Sequence, residues 1–192
     1  MKRIFIALKI DPSPSFLQII SYIRSVTEDE KIKWVDPSNI HLTLAFLGET
    51  EEERITIAGI LLKKICSSSN EFRFILKGTG VFKNYREPRV IWIGTGESEK
   101  LVSLSCRINE GLTDTGFRLE ERAFSPHITL GRIKLLRDPA RLKTAMEKYR
   151  EEIIQEVRVK EVILFESILK PEGPFYRAIG NFRLKQTDPV SE

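Results

Sequence analysis

A tetrapeptide of the form His-[Leu/Ile]-Thr-Leu occurs twice in this chain, as His41-Leu-Thr-Leu44 and as His127-Ile-Thr-Leu130. The copies hold the only two histidines of the sequence and stand 86 residues apart, close to half of its 192 residues. Each copy alternates polar and apolar side chains. In a β-strand such alternation sends successive side chains to opposite faces. His41 and Thr43 then share one face while Leu42 and Leu44 enter a core, and His127 and Thr129 oppose Ile128 and Leu130 in the same way. Two such strands side by side line a cleft with two imidazoles and two hydroxyls.

That set of groups suits phosphoryl transfer. An imidazole titrates near pH ~6.5, so at neutral pH one ring can be neutral and the other protonated. The neutral ring takes a proton from an attacking water or hydroxyl, and the charged ring supplies one to the departing oxygen. The threonine hydroxyls hold the non-bridging phosphate oxygens in line between the rings. A zinc site needs three or four N, S or O ligands, and neither motif offers a third histidine or an inward carboxylate. No metal and no other cofactor is expected.

Around the motifs, apolar periodicity divides the chain into short alternating elements. Ile4–Ile10 is rich in β-branched and aromatic residues and reads as a buried strand. Asp11-Pro-Ser-Pro14 supplies N-cap chemistry for a helix to about Ser25, with Phe16, Ile19, Ile20 and Ile23 at helical spacing. Asp36–Asn39 is a turn into a strand over Ile40–Gly48. Thr50-Glu-Glu-Glu53 resembles a capping box for a helix carrying Ile57, Ile60, Leu61 and Ile65. Strands follow at Glu71–Phe82 and Arg89–Gly94, then a helix over Ser98–Leu112. The second motif lies in a strand over Pro126–Lys134, and Asp138-Pro139 starts a helix to about Tyr149. Gln155–Leu169 reads as one long strand and Phe175–Leu184 as the last. The order strand–helix–strand–helix recurs around each histidine, which suggests an internal duplication. Helices alternating with strands on short linkers predict an α/β or α+β domain with helices outside a sheet core.

Composition narrows the setting. Lys plus Arg number 31 against 27 Asp plus Glu, a net charge of +4 that suits an anionic ligand without selecting one. Cys66 and Cys106 have no paired spacing and read as buried, reduced thiols. The apolar run Ile4–Leu8 is too short and too soon broken by Lys9 for a signal peptide. No stretch approaches the roughly 20 apolar residues of a membrane span. A cytoplasmic monomer is the expectation.

The motifs with their flanks, His41-Leu-Thr-Leu-Ala-Phe-Leu-Gly48 and Phe124-Ser-Pro-His-Ile-Thr-Leu-Gly-Arg132, resemble the paired HxTx signatures of the two-histidine phosphoesterase superfamily. They are most similar to its RNA 2′,3′-cyclic phosphodiesterase branch, historically called 2′-5′ RNA ligase. The similarity extends to Arg3–Ala7 and to Pro88-Arg-Val-Ile-Trp92. It implies a bilobal α/β (α+β) fold with pseudo-twofold related lobes, antiparallel-rich sheets lining a central cleft, and helices outside. A single two-lobed domain would span residues 1–184, with a polar tail over 185–192. The substrate implied is an RNA ending in a 2′,3′-cyclic phosphate, such as a tRNA-like fragment, opened to a 2′-phosphomonoester. By the same resemblance His41 protonates the leaving 3′-oxygen and His127 activates water. Thr43, Thr129 and Arg132 bind the phosphate. Ligation of a cyclic phosphate to a 5′-hydroxyl would be the reverse activity.

Arg132 poses a geometric problem, since strict alternation gives it the parity opposite to His127 and Thr129. A bulge or bend at Gly131 would correct this. Its counterpart after the first motif, Phe46, is expected in the core. Arg3, Lys83, Arg86, Arg89 and Arg177 are candidates for a basic rim, and Tyr85, Trp92 and Tyr176 for base stacking, but a solvated charge or a packed aromatic is the first expectation for each. Glu121, Arg122 and Glu172 read as surface residues. Two further readings stay open on the residues: a phosphodiesterase acting on another small cyclic nucleotide, and an RNA-end-binding module without turnover.

Overall fold

A computed structural model describes residues 1–119, 123–171 and 173–186. Glu121, Arg122, Glu172 and most of the expected tail lie outside the described residues.

Strand β1 (Lys2–Lys9) opens the chain and α1 (Pro14–Val26) follows, capped by Ser13, whose hydroxyl accepts from the Phe16 N–H at 3.2 Å. The predicted face Phe16, Ile19, Ile20 and Ile23 is the buried one. A short strand that the sequence pattern did not reveal, β2 (Lys31–Trp34), precedes a 3₁₀ turn at Pro37–Asn39 and β3 (His41–Thr50). The next elements are α2 (Glu52–Ser67), β4 (Phe72–Phe82), β5 (Val90–Thr95) and α3 (Glu99–Asp114). They lead to β6 (His127–Leu135), α4 (Pro139–Glu147), β7 (Ile153–Val159), β8 (Glu161–Lys170) and β9 (Gly173–Arg183).

The strands form one antiparallel sheet in the order β7-β4-β5-β6-β3-β1-β8-β9, with β2 also paired to β6. Outward from its centre the sheet repeats: β6-β5-β4-β7 on one side and β3-β1-β8-β9 on the other. The halves meet where the two motif strands meet, at the pair Leu42↔Ile128. Both side chains are fully buried. Leu42 therefore holds the seam that sets the two histidines beside each other. We expect Leu42→Ala to lower stability by about 2–5 kcal/mol, transfer loss plus cavity, in denaturant unfolding. A loss well under that range would mean that the seam is not closely packed.

Three sequence expectations are corrected here. Gln155–Leu169 is two strands, because the chain leaves β4's side at Val159, pairs with β9 from Glu161 and with β1 over Ile163–Glu166, with the Lys160 carbonyl accepting from the Leu184 N–H at 2.8 Å. Val157, Val159 and Val162 continue the apolar pattern across the change of partner, and no Gly or Pro marks it. Helix α2 starts one residue later than the capping box implied. Glu51 is its N-cap without a side-chain bond, and Thr50 stays in β3, its hydroxyl donating to the Gly48 carbonyl. The helix accordingly buries Ala58, Leu62, Ile65 and Cys66, while Ile57 and Ile60 are exposed. Finally, Cys66 is buried, with its thiol pushed up to about 11 by burial, but Cys106 is exposed on the outer face of α3.

Candidate active site

Each motif strand carries the same irregularity. Against β1, Ile6 faces Ala45 and Ala7 faces Thr43, so Leu44 is an extra residue. Against β5, Ile91 faces Gly131 and Trp92 faces Thr129, so Leu130 is extra in the same position. An extra residue reverses parity beyond it. Ala45 and Gly131 thus stay buried, and Phe46 and Arg132 emerge on the face of the threonines. The parity problem of Arg132 is resolved one residue earlier than Gly131. The glycine has a different reason: a Cβ there would stand 2.9 Å from an Ile32 methyl carbon and 3.1 Å from the Trp34 ring, so β2 could not pair so closely. Phe46 is not in the core; it is 43% exposed, with the Arg3 guanidinium 5.2 Å from its ring centroid.

The two imidazoles are held alike. His41 Nδ1 lies 2.7 Å from the Asn39 carbonyl oxygen and His127 Nδ1 lies 2.8 Å from that of Ser125, in each case two residues upstream. A carbonyl can only accept, so Nδ1 carries the hydrogen and Nε2 is left for chemistry. The 3₁₀ turn, capped by Asp36 on the Ser38 N–H at 2.8 Å, aims the Asn39 carbonyl, and the Asn39 amide ties the turn to β9 through the Pro174 carbonyl at 3.1 Å. Aromatic rings brace both sides. Phe5 and Tyr176 lie 5.1 Å from the His41 ring centroid, Tyr176 edge-on, and Phe82 meets His127 edge-on at 4.6 Å. Burial lowers the pKa of His41; its bond to Asn39 opposes this in part, and the positive charges of His127 and Arg132 add to the lowering.

His41, Thr43, His127, Thr129 and Arg132 line one cavity of about 650 Å³. All five residues singled out in the sequence come together there. The basic rim is formed by residues other than those candidates. Arg177 is engaged by Glu166 at 2.5 Å and Lys83 by Glu87, while the cations around the cavity besides Arg132 are Lys33, Lys134 and Lys170. Of the stacking candidates, Tyr176 lines this cavity. Trp92 lies in an adjoining hollow beside His127, and Tyr85 belongs to a separate surface hollow against α4. Trp34, Lys33 and Phe175 were missed. The alternation in Lys31-Ile-Lys-Trp34 was a legible strand signal, but its four residues are too few to stand out. Among the described residues no three His, Cys, Asp or Glu side chains gather to hold a metal, and no helix is long and apolar enough to cross a membrane.

An antiparallel α+β sheet duplicated about its centre, with one histidine of each half facing a shared basic cavity, is the framework of a phosphoesterase. The chain belongs to the LigT-like phosphoesterase family, whose model matches it twice, over residues 8–92 and 93–176. An RNA 2′,3′-cyclic phosphodiesterase of Archaeoglobus fulgidus is 33% identical over 180 residues, covering 94% of this chain and 99% of that protein. One from Methanocaldococcus jannaschii is 35% identical over 180 residues, covering 92% and 98%. Among solved structures, TT0787 of Thermus thermophilus superposes with a TM-score of 0.80 at 28% identity, covering 97% of this chain and all of that one. Escherichia coli LigT complexed with 3′-AMP has a TM-score of 0.72 at 24% identity, covering 96% and 99%, and so shares the fold. The sequence repeats and the structural halves do not coincide: β4 precedes residue 93, yet it lies in the half of β6.

Proposed function

We propose that the protein hydrolyses the 2′,3′-cyclic phosphate at an RNA end to a 2′-phosphomonoester, by metal-independent acid–base catalysis between His41 and His127. The observation that carries this reading is the pair of Nδ1–carbonyl bonds, which leaves two Nε2 atoms for one cavity that also holds Thr43, Thr129 and Arg132. The relatives named above support the choice of substrate. Water attacks phosphorus as His127 Nε2 takes its proton. The bond from phosphorus to the 3′-oxygen breaks as His41 Nε2 gives that oxygen a proton. The threonine hydroxyls and the Arg132 guanidinium hold the non-bridging oxygens, a task for which a planar fork of donors is suited. A 5′-hydroxyl in place of water would form a 2′-5′ link by the same transfers. One chain supplies both imidazoles, so the reaction needs no second subunit.

The direct test is incubation with an RNA 2′,3′-cyclic phosphate in EDTA, followed by identification of the product. A 2′-phosphate is expected. A requirement for added divalent metal contradicts the mechanism, and tight binding without product would make the protein a binding module.

The lowered pKa of His41 sets the shape of the pH profile. The doubly protonated pair loses its first proton at least as readily as His41 alone would, and burial sets His41 below the ordinary histidine range. The productive form, charged His41 with neutral His127, is one tautomer of the singly protonated pair, and its share of that state does not change with pH. We expect kcat/KM to be bell-shaped, with an acid limb below the ordinary histidine value of 6.5. The bound phosphate anion favours charged imidazole, so the limbs of kcat move to higher pH. An acid limb of kcat/KM at or above the ordinary value would contradict this.

A further inference from the structure

Strand β2 carries a charge pattern that opposes its own pairing. Lys31 and Lys33 are exposed on one face, and the facing strand β6 presents Arg132 and Lys134. Lys33 stands directly opposite Arg132 in the antiparallel register, and the irregularity between Lys31 and Ile32 leaves Lys134 as the extra residue between the pairs formed by Ile133 and Leu135. Like charges directly opposite each other on a sheet destabilise it. Among the described residues, no carboxylate lies within 4.0 Å of the charged ends of Lys33, Arg132, Lys134 or Lys170. All four line the cavity of the two histidines. Its one described carboxylate, Asp36, is occupied by the Ser38 N–H at 2.8 Å and hydroxyl at 2.6 Å.

The reacting phosphate does not account for so many cations. A cyclic phosphate carries a single charge, and Arg132 with the two threonines suffices to hold it. Lys134 lies two residues beyond Arg132, about 7 Å farther along β6 from His127. Lys170 reaches in from the other wall, its ammonium 4.5 Å from the centroid of Phe175, a ring that is 46% exposed in the same lining. A row of cations leading away from the reacting group, with an exposed aromatic beside it, matches an RNA strand: another phosphate for the cations and a base for the ring.

We propose that Lys33, Lys134 and Lys170 form a second phosphate subsite, which takes the internucleotide phosphate adjoining the reacting end, with Phe175 against the neighbouring base. This rests on the RNA reading above and sharpens it: the protein selects the end of an oligonucleotide over a free 2′,3′-cyclic mononucleotide, which has no second phosphate.

The test compares kcat/KM for a short RNA ending in a 2′,3′-cyclic phosphate with that for the cyclic mononucleotide, in wild type and in the double variant Lys33→Ala/Lys134→Ala. Loss of charged hydrogen bonds should lower the ratio of oligonucleotide to mononucleotide by roughly tenfold or more. Lys33→Arg/Lys134→Arg, which keeps the charges, should retain most of it. The log–log salt dependence for the oligonucleotide should be steeper than for the mononucleotide by about 0.7 per phosphate engaged. Binding of the same RNA with a plain 3′-phosphate, read by fluorescence anisotropy, reports on the subsite without turnover. If wild type binds that RNA in a lysine-dependent way yet opens no cyclic phosphate, the subsite stands and the catalytic reading falls. If both substrates turn over and the double variant changes neither ratio nor binding, the subsite is overturned. Tighter binding of a polyglutamate peptide than of RNA would overturn it as well, by assigning the cations to an acidic protein.

Discussion

Replacing either His41 or His127 by alanine is expected to lower turnover of an RNA 2′,3′-cyclic phosphate by about 10²–10⁴-fold, the usual worth of one positioned proton transfer. The two losses should be similar in size because the rings are placed alike, each with Nδ1 committed to a backbone carbonyl and each braced by aromatic side chains. RNA binding should persist, since Arg132 and the threonines remain. The double variant is expected to lose little beyond the larger single loss, because acid and base act in one concerted displacement and their effects do not add. Steady-state kinetics with both variants, next to anisotropy titrations with RNA, measure this. A single variant with more than a tenth of wild-type kcat would remove the paired role. Far-ultraviolet circular dichroism separates that result from misfolding, a concern mainly for His41, whose ring packs against Phe5 and Tyr176.

Arg132→Ala should follow with a loss of about 10²–10³-fold in kcat/KM, the range found when one donor to a developing oxyanion is removed. Arg132 is exposed at the cavity wall, so its substitution disturbs no packing. Arg132→Lys keeps the charge without the planar fork and should recover only part of the activity. The division between kcat and KM is informative. A fall in kcat means that the guanidinium binds charge that grows in the transition state, whereas a rise in KM alone means that it merely anchors the substrate. Near wild-type kinetics in Arg132→Ala would take the residue out of the site.

The site residues were legible in the sequence because their spacing is local. Two residues of separation on a strand suffice to place His41 with Thr43 and His127 with Thr129 on common faces. Arg132 was harder: its parity depends on the extra residue Leu130, which shows only in the pairing with β5. Phe46 emerges from the core through the same irregularity at Leu44. The residues around the reacting groups were mostly hidden. Phe82 and Lys170 come from strands distant in sequence, and β2 gains its meaning only from the charges it meets on β6.

By itself, the sequence determined which side chains share a face of each motif strand and which faces are apolar, because alternation and capping act between near neighbours. It also carried the duplication that recurs in the two family matches. Tertiary structure alone decided that the two motif strands meet at Leu42 and Ile128, that the chain changes halves at Lys160, and that Lys33 confronts Arg132. Those are pairings between segments far apart in the chain. Their register follows from the packing of both sheet faces at once, and no local pattern contains it.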